Sequence, residues 1–148
     1  MKNILVINGP NINLLGLREP AIYGSQSYDD LLAFIHAAAE EAGVEARCFQ
    51  SNCEGAIVDA IQQAYGKFDG IVINPAAYTH TSIAIPDALK AVGIPAVEVH
   101  LSDISKREAY RRVSYTSQAC VATIAGKGFA GYGQAIRRLA ETPPCPSA

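Results

Sequence analysis

Two pairs of residues in this sequence have the types and spacing that acid–base chemistry needs. The first is Glu98 and His100 in the run AVEVH. Two apart on an extended strand, they point to the same face. A carboxylate beside an imidazole there fixes its tautomer and raises its pKa. The second pair is Arg18 and Tyr23 in GPNINLLGLREPAIYG, Gly9 to Gly24, separated by Glu19-Pro20-Ala21-Ile22. A tyrosine that serves as a base at neutral pH needs its pKa lowered by roughly two to three units, about 3–4 kcal/mol of preferential stabilisation of the anion. An arginine close by, in a site closed to water, can supply this. Pro20 turns the chain so that the two side chains can meet, with Gly16 and Gly24 as hinges. So long a connection in a compact chain is usually functional or disordered, and this one reads as a lid.

Such pairs need a rigid frame, and the chain repeats one pattern that provides it. Asn3–Asn8, Ala46–Phe49, Gly70–Asn74, Ala96–His100 and Cys120–Ala125 read as short apolar strands. Helical patterns follow at Tyr28–Ala42, Gly55–Tyr65, Pro86–Val92 and Lys106–Val113, and a last one covers Gln134–Glu141. Ser27-x-x-Asp30 and Ser105-x-x-Glu108 have the form of capping boxes or near variants, and Gly43 and Gly66 stand where helix C-caps belong. Alternating strands and helices imply a parallel sheet covered on both faces, an α/β flavodoxin-like doubly wound domain of three layers. Ligands of such sheets bind beyond the carboxyl ends of the strands, near the switch in strand order. Asn8 opens the lid segment, Asn74 continues as PAAYTHTS, and His100 is followed by Leu101-Ser102-Asp103. Taken singly, such residues are ordinary turn chemistry. Three polar strand ends together, one beside a long loop, point to a pocket.

The whole chain narrows the alternatives. Its 148 residues are 49% hydrophobic, which suits one globular domain with a tail after Glu141, about residues 142–148, reading as disordered. A net charge of −2 with dispersed Lys and Arg offers no nucleic-acid or membrane surface. The first apolar run is too short for a signal peptide, and no run reaches spanning length. Cys48, Cys53, Cys120 and Cys145 form no CxxC pair, and His36, His80 and His100 have no zinc-site spacing, so the expectation is a reduced, cytoplasmic, metal-free protein. His36, mid-helix among alanines, reads as structural or surface.

Two motifs mislead. Gly126-Lys-Gly128-Phe-Ala-Gly131 satisfies GxGxxG, but the βαβ unit and acidic residue of a dinucleotide site do not follow. Its glycines suit tight strand-to-helix packing instead. A receiver-type signalling or ligand-binding module shares the architecture and is the non-enzyme alternative. It would want an acidic cluster after the first strand and an Asp ending the third, where this chain has Gly9-Pro10-Asn11 and Asn74. Every lysine falls outside a strand interior, which disfavours a buried Schiff base.

GPNINLLGLREPAIYG, INPAAYTHTS, EVHLSDISKRE, RRVSYTS and GKGFAGYG resemble, in order and spacing, the type II 3-dehydroquinate dehydratases, over essentially Asn3 to Leu139. The resemblance implies a flavodoxin-like fold, a homododecamer built as four trimers, and no metal or organic cofactor. It implies reversible dehydration of 3-dehydroquinate, a small-molecule substrate, to 3-dehydroshikimate, toward aromatic amino acids or in quinate breakdown. By motif, Tyr23 would be the base, Arg18 its stabilising partner, and Asn11 would orient a water at the enolate oxygen. His100 would protonate the departing hydroxyl, with Glu98 orienting it. Asn74, His80, Leu101, Ser102 and Arg111 would hold the substrate, Arg111 by gripping its carboxylate bidentately. Asp87 would be a binding-site or trimer-contact residue. Two positions depart from the commonest pattern: Ala76, where many members have Gly and a positive φ would be less comfortable, and Cys53, where His is frequent.

Overall fold

The computed structural model describes residues 1–17, 21 and 25–143. Arg18, Tyr23 and Gly24, the centre of the expected lid, lie outside the described residues, as do residues 144–148 of the expected tail.

Five strands form one parallel sheet: β1 (Asn3–Asn8), β2 (Glu45–Gln50), β3 (Gly70–Asn74), β4 (Ala96–His100) and β5 (Ala122–Ala125), in the order β2-β1-β3-β4-β5. β3 and β4 are buried along their whole length and β1 nearly so, as apolar runs require when helices cover both faces. β2 and β5 are the half-exposed edges. The order reverses between β1 and β3, whose register pairs Asn8 with Asn74. That places both asparagines at the switch point, where the carboxyl ends of the strands diverge.

Among the described residues four α-helices make the outer layers: α1 (Tyr28–Ala42), α2 (Glu54–Ala64), α3 (Ala84–Val92) and α4 (Ala130–Glu141). On one face Leu31, Ile35, Tyr132 and Ile136 of α1 and α4 close over Ile4, Val6, Val72 and Val97. On the other, Ile57, Ile61, Ile85 and Leu89 of α2 and α3 cover Leu5, Ile7, Ile71 and Ile73. The doubly wound expectation is met. No described helix is long and apolar enough to cross a membrane.

The local signals held for α1. Ser27 accepts from the Asp30 N–H while Asp30 accepts from the Ser27 N–H, a complete capping box, and Gly43 closes the helix at φ 72°. Gly66, at φ 77°, follows the end of α2. α4 is tied to the start of the chain, because the Lys2 ammonium donates to the carbonyls of Leu139, Ala140 and Thr142 at its carboxyl end.

Four expectations need correction. No α-helix spans Lys106–Val113; two single 3-10 turns, Ile104–Lys106 and Ala109–Arg111, stand there. Ser105 is not a cap, since its hydroxyl and N–H both donate to Asp103 Oδ1 and Asp103 caps the first turn instead. Arg107 and Glu108 are then extended, which prevents the capping box and ends the periodicity. β5 begins at Ala122 rather than Cys120, because the Cys120 N–H closes a 3-10 turn onto Ser117. α4 begins four residues early, at Ala130, with Gly131 and Gly133 inside it. A Cβ on Gly131 would lie 3.4 Å from both Ile124 and Val99, in ordinary contact with the sheet.

Candidate active site

The cleft sits over the carboxyl ends of β1, β3 and β4, as the switch-point rule expects. It holds about 520 Å³, its open mouth included, and is lined by Asn74, His80, His100, Leu101 and Ser102, with Ile12, Arg107 and Arg111 among its other walls. Each element delivers its residue for a physical reason. Gly9 lets β1 and β3 approach: its N–H donates to Asn74 O at 2.8 Å, and a Cβ would fall 2.5 Å from Pro75 O. Beneath the floor, the buried Tyr132 hydroxyl donates to Asn8 Oδ1 at 2.7 Å and accepts from Asn74 Nδ2 at 2.9 Å. Asn74 Oδ1 takes the Ala76 N–H at 3.1 Å, so the amide that faces the cleft is clamped from two sides. Burial holds the Tyr132 phenol well above its usual range, and it stays neutral.

After β3 the chain turns at Ala76, whose φ of 53° is left-handed, into a 3-10 helix over Ala76–His80. Left-handed backbone is unfavourable for alanine, which is the strain expected at this position. The short helix sends Thr79 inward, fully buried, and His80 toward the cleft. His80 Nδ1 lies 2.7 Å from Val113 O. A carbonyl can only accept, so Nδ1 carries the proton and Nε2 is left for the cleft.

Glu98 and His100 share a face of β4, as alternation requires. Glu98 is 0% exposed and His100 5%. His100 Nε2 is bonded to Glu98 Oε2, which leaves Nδ1 as its second nitrogen. The same Glu98 oxygen accepts from Thr79 Oγ1 and Ser114 Oγ, each at 2.7 Å, while Oε1 takes Thr123 Oγ1 at 3.2 Å. Burial by itself would raise the Glu98 carboxyl. The His100 hydrogen bond and charge, with those from Ser114 and Thr79, outweigh it and hold the carboxyl below its ordinary value. With Nε2 held by the carboxylate, Nδ1 is the nitrogen left to exchange a proton with a group in the cleft. The arrangement can therefore deliver a proton into the cleft.

The chain's sequence matches the profile described as "Dehydroquinase class II" over residues 2–140. The chain belongs to the class II dehydroquinase family. It is 57% identical to a 3-dehydroquinate dehydratase of Clostridium acetobutylicum, over 92% of this chain and 94% of that protein. It is 55% identical to a catabolic 3-dehydroquinase of Aspergillus clavatus, over 94% of this chain and 93% of that one. Its backbone matches the crystal structure of a type II dehydroquinase from Butyrivibrio crossotus with a TM-score of 0.91 at 50% identity, covering 93% of this chain and 97% of that structure. Membership in a family of lyases does not favour the signalling-module alternative.

For a class II dehydroquinase, the structure brings together Asn74, His80, His100, Leu101, Ser102 and Arg111 at one cleft, with Glu98 directly behind His100. Asn11 is exposed at φ 69°, next to the lining residue Ile12, with its N–H on Asn52 Oδ1. Asp87 is exposed on α3, away from the cleft lining. Arg18 and Tyr23 lie outside the described residues. Sequence reasoning missed Arg107 and the hydroxyls behind Glu98. Arg107 lines the cleft because its backbone is extended, whereas a helix over Lys106–Val113 would have made it one more surface charge. Glu108 lies between the two arginines, 3.7 Å from Arg107 Nε and 3.3 Å from Arg111 Nε. The GKG glycines also serve the cleft: Gly126 N–H donates to Ser102 O and Gly128 N–H to Leu101 O, bracing the wall after β4. His36 is exposed on α1. Burial, with the Glu98 charge, pushes the Cys120 thiol up to about 12, and burial takes Cys48 to about 11, so neither is a nucleophile at neutral pH.

Proposed function

We propose that this class II dehydroquinase reversibly dehydrates 3-dehydroquinate to 3-dehydroshikimate by acid–base chemistry of its own side chains. The observation that carries the reading is the buried Glu98–His100 pair, with its second imidazole nitrogen available to a cleft that also holds Asn74, His80, Arg107 and Arg111. Tyr23, as a phenolate stabilised by Arg18, takes the proton alpha to the ketone. The C–H electron pair moves to the carbonyl oxygen, and the enolate is held by a water that Asn11 orients. Collapse of the enolate breaks the C–O bond of the β-hydroxyl, which leaves as water with the proton of His100 Nδ1. Arg111 grips the carboxylate, Arg107 adds positive charge beside it, and Asn74, His80 and the Leu101–Ser102 segment hold the hydroxyls. Asp87 acts at a subunit contact. The protein works in the cytoplasm as a dodecamer of four trimers, on the route to aromatic amino acids or in quinate breakdown.

The test is an absorbance assay for the conjugated enone product, with chelator-treated protein and 3-dehydroquinate. Product formation that survives borohydride is expected, since no imine forms; absence of product would sink the proposal. Tyr23→Phe should lose nearly all turnover with the fold retained, and full turnover there would reject Tyr23 as the base. Light scattering should give twelve times the chain mass of 15.7 kDa.

A further inference from the structure

Three consecutive residues far from the β4 end in sequence each hold a different part of the site. Val113 O accepts from His80 Nδ1 at 2.7 Å. Ser114 Oγ lies 2.7 Å from both Glu98 Oε2 and Thr79 Oγ1. The Tyr115 N–H donates to Thr79 O at 2.8 Å. Glu98 Oε2, Thr79 Oγ1 and Ser114 Oγ thus form a triangle with 2.7 Å sides, and the two hydroxyl protons serve the two sides that meet at the carboxylate. His100 Nε2 adds a third donor at the Glu98 corner. The plainer role of Ser114 is to cap the 3-10 turn Thr116–Ala119, since its hydroxyl also accepts the Ser117 N–H at 3.1 Å. That role does not require its Oγ to sit against a fully buried carboxylate. A carboxylate with a single partner could rotate about its own bonds, whereas donors arriving at one oxygen from two further elements leave it one orientation.

We propose that Ser114, together with Thr79, is a positioning residue for the reaction: their hydroxyls pin the Glu98 carboxylate against His100 Nε2 and so aim His100 Nδ1 into the cleft. This rests on the reading of His100 as the acid. The hydroxyls also share the carboxylate's charge, so removing one leaves more of that charge on the bond to His100. The titratable and charged groups facing the pair are Cys120, which the Glu98 charge reaches, and His80, Arg107 and Arg111 across the cleft. Among the described residues, the two hydroxyls are the further donors to the oxygen that His100 uses.

The experiment follows the His100 imidazole by NMR titration of the full chain, alongside kcat and KM for 3-dehydroquinate. Ser114→Ala should raise the His100 pKa by about one unit and lower kcat about tenfold, with KM within about twofold. Thr79→Val, which keeps the shape and removes the hydroxyl, should move both in the same direction. Ser114→Thr and Thr79→Ser, which keep the hydroxyls, should recover most of the lost turnover. An unmoved or lowered His100 pKa, or a loss confined to KM, in Ser114→Ala would overturn the proposal. Should Ser114→Ala fail to fold, the same readings on Thr79→Val decide. If His100→Ala kept full turnover, the reading of His100 as the acid would fall, while the pKa response of Ser114→Ala would still report whether the hydroxyls tune the imidazole.

Discussion

Replacing Glu98 by glutamine removes one charge and almost no volume, and the surroundings dictate how the amide must sit. Among the described residues, Oε2 receives three donors, from His100, Thr79 and Ser114, while Oε1 receives Thr123 alone at 3.2 Å. The glutamine carbonyl therefore takes the Oε2 place and its NH₂ faces Thr123, whose hydroxyl can turn to accept. The hydrogen-bond geometry survives, but the charge that stabilises a protonated His100 does not. A hydrogen bond to a charged partner contributes about 1.5–3 kcal/mol. At about 1.4 kcal/mol per tenfold, Glu98→Gln should lose about ten- to 150-fold in kcat, read in the enone absorbance assay. Relief of the buried charge offsets part of the lost bonding, so urea unfolding at neutral pH should change by about 1–2 kcal/mol, with the chain still folded. The sign of the pH effect is fixed by the direction of the shift. Glu98 is held below its ordinary carboxylate value, so its ionised form stabilises the fold above that value and the contribution is lost as pH falls through the folded pKa. Glu98→Gln should therefore flatten the acid side of the stability curve. Turnover within twofold of the parent chain would refute the reasoning, because the carboxylate would then do nothing for His100.

Three further outcomes follow from the frame. Ala76→Gly removes a Cβ from a residue at φ 53° and should raise urea stability by about 0.5 kcal/mol, the relief of left-handed strain slightly exceeding the added unfolded-state entropy; a loss of stability would count against the strain. Tyr132→Phe strands the buried Asn74 Nδ2 and should cost about 1–3 kcal/mol of unfolding free energy and raise KM, whereas an unchanged KM would mean that the phenol does not hold Asn74. Lys2→Met removes a cation from the carboxyl end of α4 and should lower stability by about 1 kcal/mol in urea unfolding with kcat unaffected; no change in the midpoint would show the ammonium contributes nothing there.

What could be read in advance was whatever depends on short-range pattern. β1 and β3 are apolar runs that end on asparagine, β4 alternates Val with Glu98 and His100, and α1 carries both its caps in sequence, so their bounds could be read without knowledge of the rest. The Glu98–His100 pair was legible because strand alternation alone puts both on one face. The stretch from Asp103 to Arg111 was not. There a three-residue side-chain turn at Asp103 and the extended Arg107 outweigh a helical periodicity that is only nominal. Thr79 and Ser114 were invisible as partners of Glu98 for a different reason. They are 19 and 16 residues away, and a lone hydroxyl in PAAYTHTS or RRVSYTS carries no signal of the buried carboxylate it meets. Arg107 stood in a quoted motif, yet its orientation depended on a backbone that the pattern misjudged.

The link from Tyr132 to Asn8 and Asn74 bears on the order in which the protein can be completed during synthesis. Asn8 and Asn74 end two adjacent inner strands, but the phenol that joins them belongs to α4, which leaves the ribosome after the other described helices. While α4 is still in the exit tunnel, β1 and β3 can pair, but the floor of the cleft is unfinished, and Ile4, Val6, Val72 and Val97 lack the cover that Ile136 and Tyr132 will bring. A nascent chain stalled at that point would display a sticky sheet face and an unready site together. Docking of α4 thus finishes the cleft floor and covers that sheet face in one event.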